Sequence, residues 1–254
     1  QIDYVVPPES LFYAEYPYRS GITPTLVKYL KGLSSVVMGK FGFRPPGLVV
    51  DIGSSDGTLL SGFKEKGFKV LGVEATNVAQ IANKAGIDTI QNFFNEELAH
   101  GIVKNYGNAS VVTATNVFAH IASLGDMIRG VEHLISENGL FVTESHYLLD
   151  IIKTVQYDSI YHEHLKFYSL KSIIRLFEYY DFTVVDVERI ENYGGSIRVF
   201  AAKGKSMPIS ESINSLLAEE EKSGLYDFST FEEFSRQTLK AKHELQELSL
   251  QAFS

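Results

Sequence analysis

The chain has 254 residues, 44% hydrophobic and 21% charged, the make-up of an ordinary globular protein with room for one substantial α/β domain or two small ones. A net charge of -8 with scattered basic residues argues against a nucleic-acid backbone as partner, and the absence of Cys excludes disulfides, thiolate zinc sites and Cys nucleophiles. No apolar run approaches the roughly 18 residues of a membrane span and the start carries no leader pattern, so a cytoplasmic protein acting on a small molecule, away from membranes, fits best.

Residues 1–46 are rich in Tyr and Pro, with helical spacing from Thr23 to about Val37 before Arg44-Pro45-Pro46-Gly47 punctuates the chain. From Leu48 onward, short apolar runs rich in β-branched residues predict strands at Leu48–Ile52, Phe68–Val73, Ala109–Ala114 and Leu140–Thr143. Helix-length segments separate them at Gly57–Lys66, Asn77–Lys84, Glu96–Asn105 and Leu124–Ser136. Continuous rather than alternating apolar runs mean strands buried on both faces, which is a parallel sheet with helices on either side. A helix from Ser169 to about Tyr180 and closing strands at Phe182–Val187 and Ser196–Ala202 follow. The expected fold is a doubly wound, mostly parallel seven-stranded α/β sheet. The charged stretch Ile209–Phe253 reads as a helical appendage or a linker to a further domain. The chain thus divides into 1–46, a cofactor-binding domain at 47–205 with an insert at 148–168, and 206–254.

In such sheets ligands bind beyond the carboxyl ends of the strands, where the strand order reverses. Asp51-Ile52-Gly53-Ser54-Ser55-Asp56-Gly57 occupies that position after the first strand. Gly53 and Gly57 permit torsions and close approach that a Cβ would block, although both also suit a plain turn. A loop meant for pyrophosphate presents bare N–H groups, and Asp51 and Asp56 would repel one. Carboxylates suit the ammonium of a methionine moiety instead, with Ser54 beside them. Glu74 ends the second strand, where it can accept from ribose hydroxyls as in dinucleotide folds. Gly53-x-x-x-Gly57 is not the dinucleotide fingerprint Gly-x-Gly-x-x-Gly, so the loop discriminates where Glu74 does not. Phe93 can lie against an adenine ring or in the core, and Asn116 can face the cleft or cap the next helix.

Polar chemistry concentrates at Asn116-Val117-Phe118-Ala119-His120 and at Tyr161-His162-Glu163-His164, the second following Glu144-Ser145-His146 at the end of the fifth strand. Five of the seven histidines (His120, His133, His146, His162 and His164) fall between residues 120 and 164, a clustering that packing rarely demands. One reading is a metal site of two His and a carboxylate; the i, i+2 spacing departs from the i, i+4 of a zincin helix, and no metal is expected. The other is a general base, an imidazole polarised by a neighbouring Glu, with a Tyr to donate to a developing enolate.

The blocks Asp51 to Leu60, Asn116 to Ile121, Ile160 to Leu165 and Gly194-Gly195-Ser196-Ile197-Arg198 together resemble the nucleotide-sugar C-methyltransferases, from about Tyr13 to Ala202. The resemblance implies S-adenosylmethionine as cofactor and transfer of its methyl to a carbon next to a ketone. His164 matches the family's base; Tyr161, Glu163 and His120 match residues that steer the base and stabilise the enolate. A tyrosine ahead of the domain corresponds to Tyr16 or Tyr18, and His162 and Arg198 are expected at the substrate. Family members usually begin with a Cys-rich zinc module and continue into a further C-terminal domain; with no Cys and a stop at Ser254, either these parts were removed from a longer chain or this is a stand-alone domain with another acceptor. Two rivals share the cofactor half: a carbohydrate O-methyltransferase, and a non-catalytic cofactor-binding module of a larger glycan-assembly protein. Acceptor and oligomeric state stay open.

Overall fold

The structure, a computed structural model, describes residues 6–12 and 18–252. After α1 (Pro8–Leu11), Thr23 starts α2 (Pro24–Phe41) by accepting the Leu26 N–H at 3.4 Å, with Pro24 in the first turn where its missing N–H costs nothing. The core then alternates: β1 (Leu48–Ile52), α3 (Thr58–Lys64), β2 (Lys69–Val73), α4 (Val78–Lys84), β3 (Thr89–Ile90), α5 (Glu96–Tyr106), β4 (Ala109–Thr115), α6 (Leu124–Leu134) and β5 (Ile135–His146). It continues through α7 (Leu148–Lys153), α8 (Leu170–Glu178), β6 (Phe182–Ile190), β7 (Ser196–Lys203), α9 (Glu211–Lys222) and α10 (Phe228–Ala252).

The seven strands form one sheet in the order β3-β2-β1-β4-β5-β7-β6, with β7 antiparallel to both its neighbours. All five residues of β1 are buried, as continuous apolar strands require when both faces are covered. One apolar layer joins Leu30, Leu33 and Val37 of α2 to Leu60 and Phe63 of α3 and Val49 of β1. The opposite layer joins Ile102 of α5, Ile128 and Val131 of α6, and Ile173 and Phe177 of α8 to Val50, Val112 and Phe141. The expected doubly wound sheet is therefore the observed one.

Differences lie at element ends. The helix expected to reach Ser136 stops at Leu134, because buried Ile135 already pairs with Ala109 and opens β5 five residues before the expected start at Leu140. The stretch expected as one helical region from Ile209 breaks near Gly224, whose φ of +65° few other residues adopt. Its first part, α9, is integral to the core: Ile213 and Leu216 join the apolar layer. The buried Glu220 carboxylate accepts from Tyr147 Oη (2.9 Å) and from the Leu170 N–H (2.6 Å) at the start of α8. By contrast α10 leaves Leu239, Leu245 and Leu248 exposed. The strand order reverses between β1 and β4, so the carboxyl ends of β1, β2, β4 and β5 deliver their loops to one rim.

Candidate active site

A cleft of about 720 Å³ opens at that rim, in the range of small-molecule sites. Its lining brings together the loops after β1, β2, β3 and β4, the end of β5 and the segment carrying Tyr161, Glu163 and His164. Glu9, Phe12, Tyr18 and Ser20 reach it from the N-terminal part of the chain.

One half is acidic. Gly53 turns the chain out of β1 at a φ of +70°, and a Cβ there would stand 2.4 Å from Val117 Cγ2. Gly53 and Val117 both line the cleft, so the backbone packs tightly at its wall. Asp51 is buried and accepts from Thr113 Oγ1 at 2.6 Å; burial, aided by the charge of Glu74, pushes its carboxyl up to about 7. Glu74 accepts from the Ser55 N–H (3.0 Å), the Thr76 N–H (2.8 Å) and Thr76 Oγ1 (2.7 Å), which fixes its carboxylate at the end of β2. Among the described residues, none that lines the cleft is Lys or Arg. A pair of carboxylates in a partly dry groove without a cation favours a cationic ligand. Phe93 lines this half and is partly exposed, and Phe94 beside it lines the cleft and packs against the core. Asn116 lines the cleft at a φ of +57°, and Ser123, not Asn116, stands at the start of α6. Ser54 also lines it, with a buried Oγ that has no hydrogen-bond partner.

The other half carries imidazoles. His164 is buried, and its Nδ1 lies 3.0 Å from the Ser159 carbonyl. A carbonyl only accepts, so Nδ1 bears the proton and Nε2 presents a lone pair, 3.1 Å from Tyr161 Oη. Burial holds the His164 pKa below the ordinary value, against the pull of the Ser159 carbonyl and Glu163. His120 donates through Nδ1 to the Glu163 carbonyl at 2.8 Å and is pushed down to about 4 by burial and by His164. His146 at the end of β5 is likewise pushed to about 4 by burial and His164. The His120 and His146 rings centre 5.0 and 4.8 Å from that of His164, so protonating one opposes protonating the others. Burial raises the Tyr161 hydroxyl, keeping it a donor.

Two rim loops are stitched together to hold these rings. The Leu165 N–H donates to the Ala119 carbonyl (2.8 Å), Tyr168 Oη to that of Phe118 (3.1 Å), and Lys166 Nζ to those of Ile121 (2.7 Å) and Ala122 (3.2 Å). Residues distant in sequence thus share one backbone frame.

Several expectations are corrected. The hydrogen bond that orients His164 goes to the Ser159 carbonyl, while the Glu163 carboxylate acts on the ring through its charge. Arg198 does not line the cleft; it is buried against fully buried Glu144 (2.9 Å), and it also meets Tyr29 and Glu188. Cross-strand register puts Glu144, Arg198 and Glu188 opposite one another on adjacent strands, which a motif reading along the chain cannot see. His133 stacks on His100 at 3.7 Å between α5 and α6 instead of joining the rim cluster. His162 is exposed and outside the lining. Asp56 and Gly57 are also outside it: Asp56 accepts from Thr58 and from the Gly21 N–H, and Gly57 caps α3 at a φ of +79° against Ile87. Tyr18 lines the cleft, with its hydroxyl 3.4 Å from that of Tyr193, while Tyr16 lies outside the described residues. Among the described residues no group of three or more His, Asp or Glu is placed to hold a metal ion.

Among the lining residues without an expected role are His146 and Tyr193. His146 had a signal in the sequence, its position at the end of a core strand. Tyr193 sits in the Asn192–Gly194 turn between β6 and β7, and only the return of that hairpin to the rim brings it in.

Comparison with known proteins adds to this geometry. A family model described as a methyltransferase domain matches residues 30–187, and one described as a C-methyltransferase C-terminal domain matches residues 191–253. The chain is 34% identical over 247 residues to the C-methyltransferase NovU of Streptomyces niveus, covering 96% of this chain but 59% of that relative. It therefore spans under two thirds of the curated relative's length. Among solved structures, a protein of Pyrococcus horikoshii OT3 superposes with a TM-score of 0.56 at 15% identity, over 76% of this chain and 98% of the other. Magnesium protoporphyrin IX methyltransferase of Synechocystis PCC 6803, solved with bound SAH, gives 0.52 at 13% identity, over 74% and 90%. At such identities the likeness is one of fold.

Proposed function

Given that the chain belongs to the S-adenosylmethionine-dependent methyltransferases, we propose that it transfers a methyl group to a carbon next to a ketone of a deoxysugar, one linked to a nucleotide. The residues present fit the cofactor. Glu74, at the end of β2, has lone pairs to spare for ribose hydroxyls, and buried Asp51 lies beside it in a lining that has no Lys or Arg among the described residues. The positive charge of a cationic ligand would offset the burial that raises Asp51. Gly53 supplies the close backbone approach, and Phe93 a face for the adenine. When bound, S-adenosylmethionine supplies a methyl already activated by its sulfonium.

The chain's own work is then base, alignment and a dry site. The observation that carries the reading is the neutral His164, its proton fixed on Nδ1 by Ser159 and its Nε2 lone pair turned to Tyr161 in the cleft shared with Asp51 and Glu74. The acidic C–H of the acceptor takes the place of the Tyr161 hydroxyl at Nε2. Its proton passes to Nε2, and the electron pair delocalises onto the ketone oxygen as an enolate. Tyr161, freed from Nε2, donates to that oxygen. Depressed imidazole pKa values keep His164 unprotonated at neutral pH, as a base requires. The name of the relative, a C-methyltransferase, supports carbon as the methylated atom. With no Cys and no helix among the described residues long and apolar enough to cross a membrane, the reading includes work in the cytoplasm.

The test is to incubate keto-deoxysugar nucleotides with methyl-labelled S-adenosylmethionine and to place the new methyl by NMR. A C-methyl signal coupled to the ring carbon next to the ketone is expected. A methoxy signal would overturn the carbon assignment in favour of a hydroxyl acceptor.

A further inference from the structure

The Asp51–Gly57 loop touches two things at once. Toward the cleft, the Ser55 N–H donates to Glu74, the residue placed to meet the cofactor ribose. Away from it, Ser55 Oγ accepts the Ser20 N–H at 3.2 Å, and Asp56 Oδ2 accepts the Gly21 N–H at 2.9 Å. Ser55 holds these contacts at a φ of +50°, a conformation that non-glycine residues seldom keep without outside support. Asp56 Oδ1 meanwhile takes the Thr58 hydroxyl and N–H at the start of α3, so the carboxylate is anchored on one side and receives the 20–21 segment on the other. The approach is close: a Cβ on Gly21 would stand 2.6 Å from Asp56 Oδ2 and 2.9 Å from Thr58 Oγ1. A side chain there would push the Asp56 carboxylate or the Thr58 hydroxyl aside.

The segment so held carries Tyr18, whose hydroxyl reaches 3.4 Å toward that of Tyr193 on the far wall, and Tyr193 stands edge-on to His146 at 6.2 Å. A path of single residues therefore runs from Glu74 through Ser55 to Ser20 and on to Tyr18 at the imidazole half.

We propose that Asp56 is a positioning residue and forms with Gly21, beside Ser55 and Ser20, a latch through which cofactor binding secures Tyr18 over the imidazole half of the cleft. The inference rests on the cofactor assignment made above and adds an order to it: cofactor first, then acceptor. A ligand that engages Glu74 fixes Ser55, and a fixed Ser55 and Asp56 hold residues 18–22. Without the ligand the two hydrogen bonds close and open on their own.

Hydrogen exchange reads the latch directly, since the amides of Ser20 and Gly21 are its donors. The whole chain is compared with Gly21→Ala, Asp56→Asn and Ser55→Ala, with and without S-adenosylhomocysteine at a concentration shown by calorimetry to saturate each. In the unaltered chain the ligand is expected to slow exchange of residues 18–22 roughly tenfold or more. In Gly21→Ala that slowing is lost, while the amides of residues 53–55 remain slowed. Ser55→Ala removes only the Ser20 bond and is expected to lose part of the effect, so the outcome does not depend on one variant folding. Asp56→Asn separates the two sides of the carboxylate, and loss at residue 21 is expected there also. Binding without slowing at 18–22 in the unaltered chain, or equal slowing in all four proteins, overturns the latch while leaving the cofactor assignment intact. Failure of S-adenosylhomocysteine to bind the unaltered chain would overturn both.

Discussion

Tyr161 Oη lies 3.1 Å from Nε2 of His164, on a ring whose other nitrogen is committed to the Ser159 carbonyl. The basic atom of His164 is thus defined by a backbone oxygen five residues upstream. His164→Gln keeps an acceptor and a donor but no titratable base. We expect it to lower the methyl-transfer rate by ~10²–10⁴, the usual contribution of a positioned base. S-adenosylhomocysteine affinity measured by calorimetry should stay within about twofold, because His164 contacts the acceptor half only. A variant with undiminished transfer would remove His164 from the chemistry.

The other two imidazoles give a pH signature. His120 and His146 titrate near 4 in the folded chain, down from 6.5. Between those values the unfolded chain binds more protons, so stability rises with pH there. Their contribution is complete above 6.5 and is lost as the pH falls through 4. Thermal melts from pH 7 to 4.5 should show a falling Tm, and His146→Gln should flatten that slope. An unchanged slope would mean that His146 is solvated in solution.

Arg198 separates a structural from a substrate role. Glu144 is fully buried with Oε1 lacking a partner and Oε2 shared by Tyr29 and Arg198, so Arg198→Met strands a buried charge. The expected cost is ~3–5 kcal/mol, a clear fall in Tm. Pairing it with Glu144→Leu should restore much of the loss. If the single variant melts like the unaltered chain and only acceptor binding suffers, the assignment to the sheet interior is wrong.

Glycines of equal torsion but unequal surroundings offer an internal control. Gly53 and Gly42 have φ of +70° and +74°, yet a Cβ on Gly53 meets Val117 at 2.4 Å and one on Gly42 meets nothing within 4 Å. Gly42→Ala should cost only ~1 kcal/mol of stability, the left-handed penalty, and leave ligand affinity unchanged. Gly53→Ala should in addition weaken S-adenosylhomocysteine binding by about tenfold or more, since the loop must shift away from the cleft floor. Equal effects on affinity would argue that the loop is not at the cofactor.

Much of this was legible along the chain. The continuous apolar runs at Leu48–Ile52 and Ala109–Ala114 could only be strands covered on both faces, and that periodicity fixed the sheet class. A strand's carboxyl end is a place in the sequence, so the chain order alone sets Asp51, Gly53, Glu74 and His120 on one rim. Where the resemblance put Arg198 at the substrate, cross-strand register decided otherwise. Asp56 looked like a ligand residue because composition reports its charge and not its partner.

What the sequence determined by itself is the order of elements, the rim and the residue types that meet there, because each depends on local periodicity and on chemistry carried by single side chains. What only the tertiary structure decided is which atom faces which. The proton on Nδ1 of His164 depends on the Ser159 carbonyl, the entry of His146 and Tyr193 on the ends of two antiparallel strands, and the diversion of Asp56 to Gly21 on a contact spanning 35 positions. Hydrogen bonds are short-ranged and directional, so a separation of residues along the chain carries no information about them until the backbone has folded.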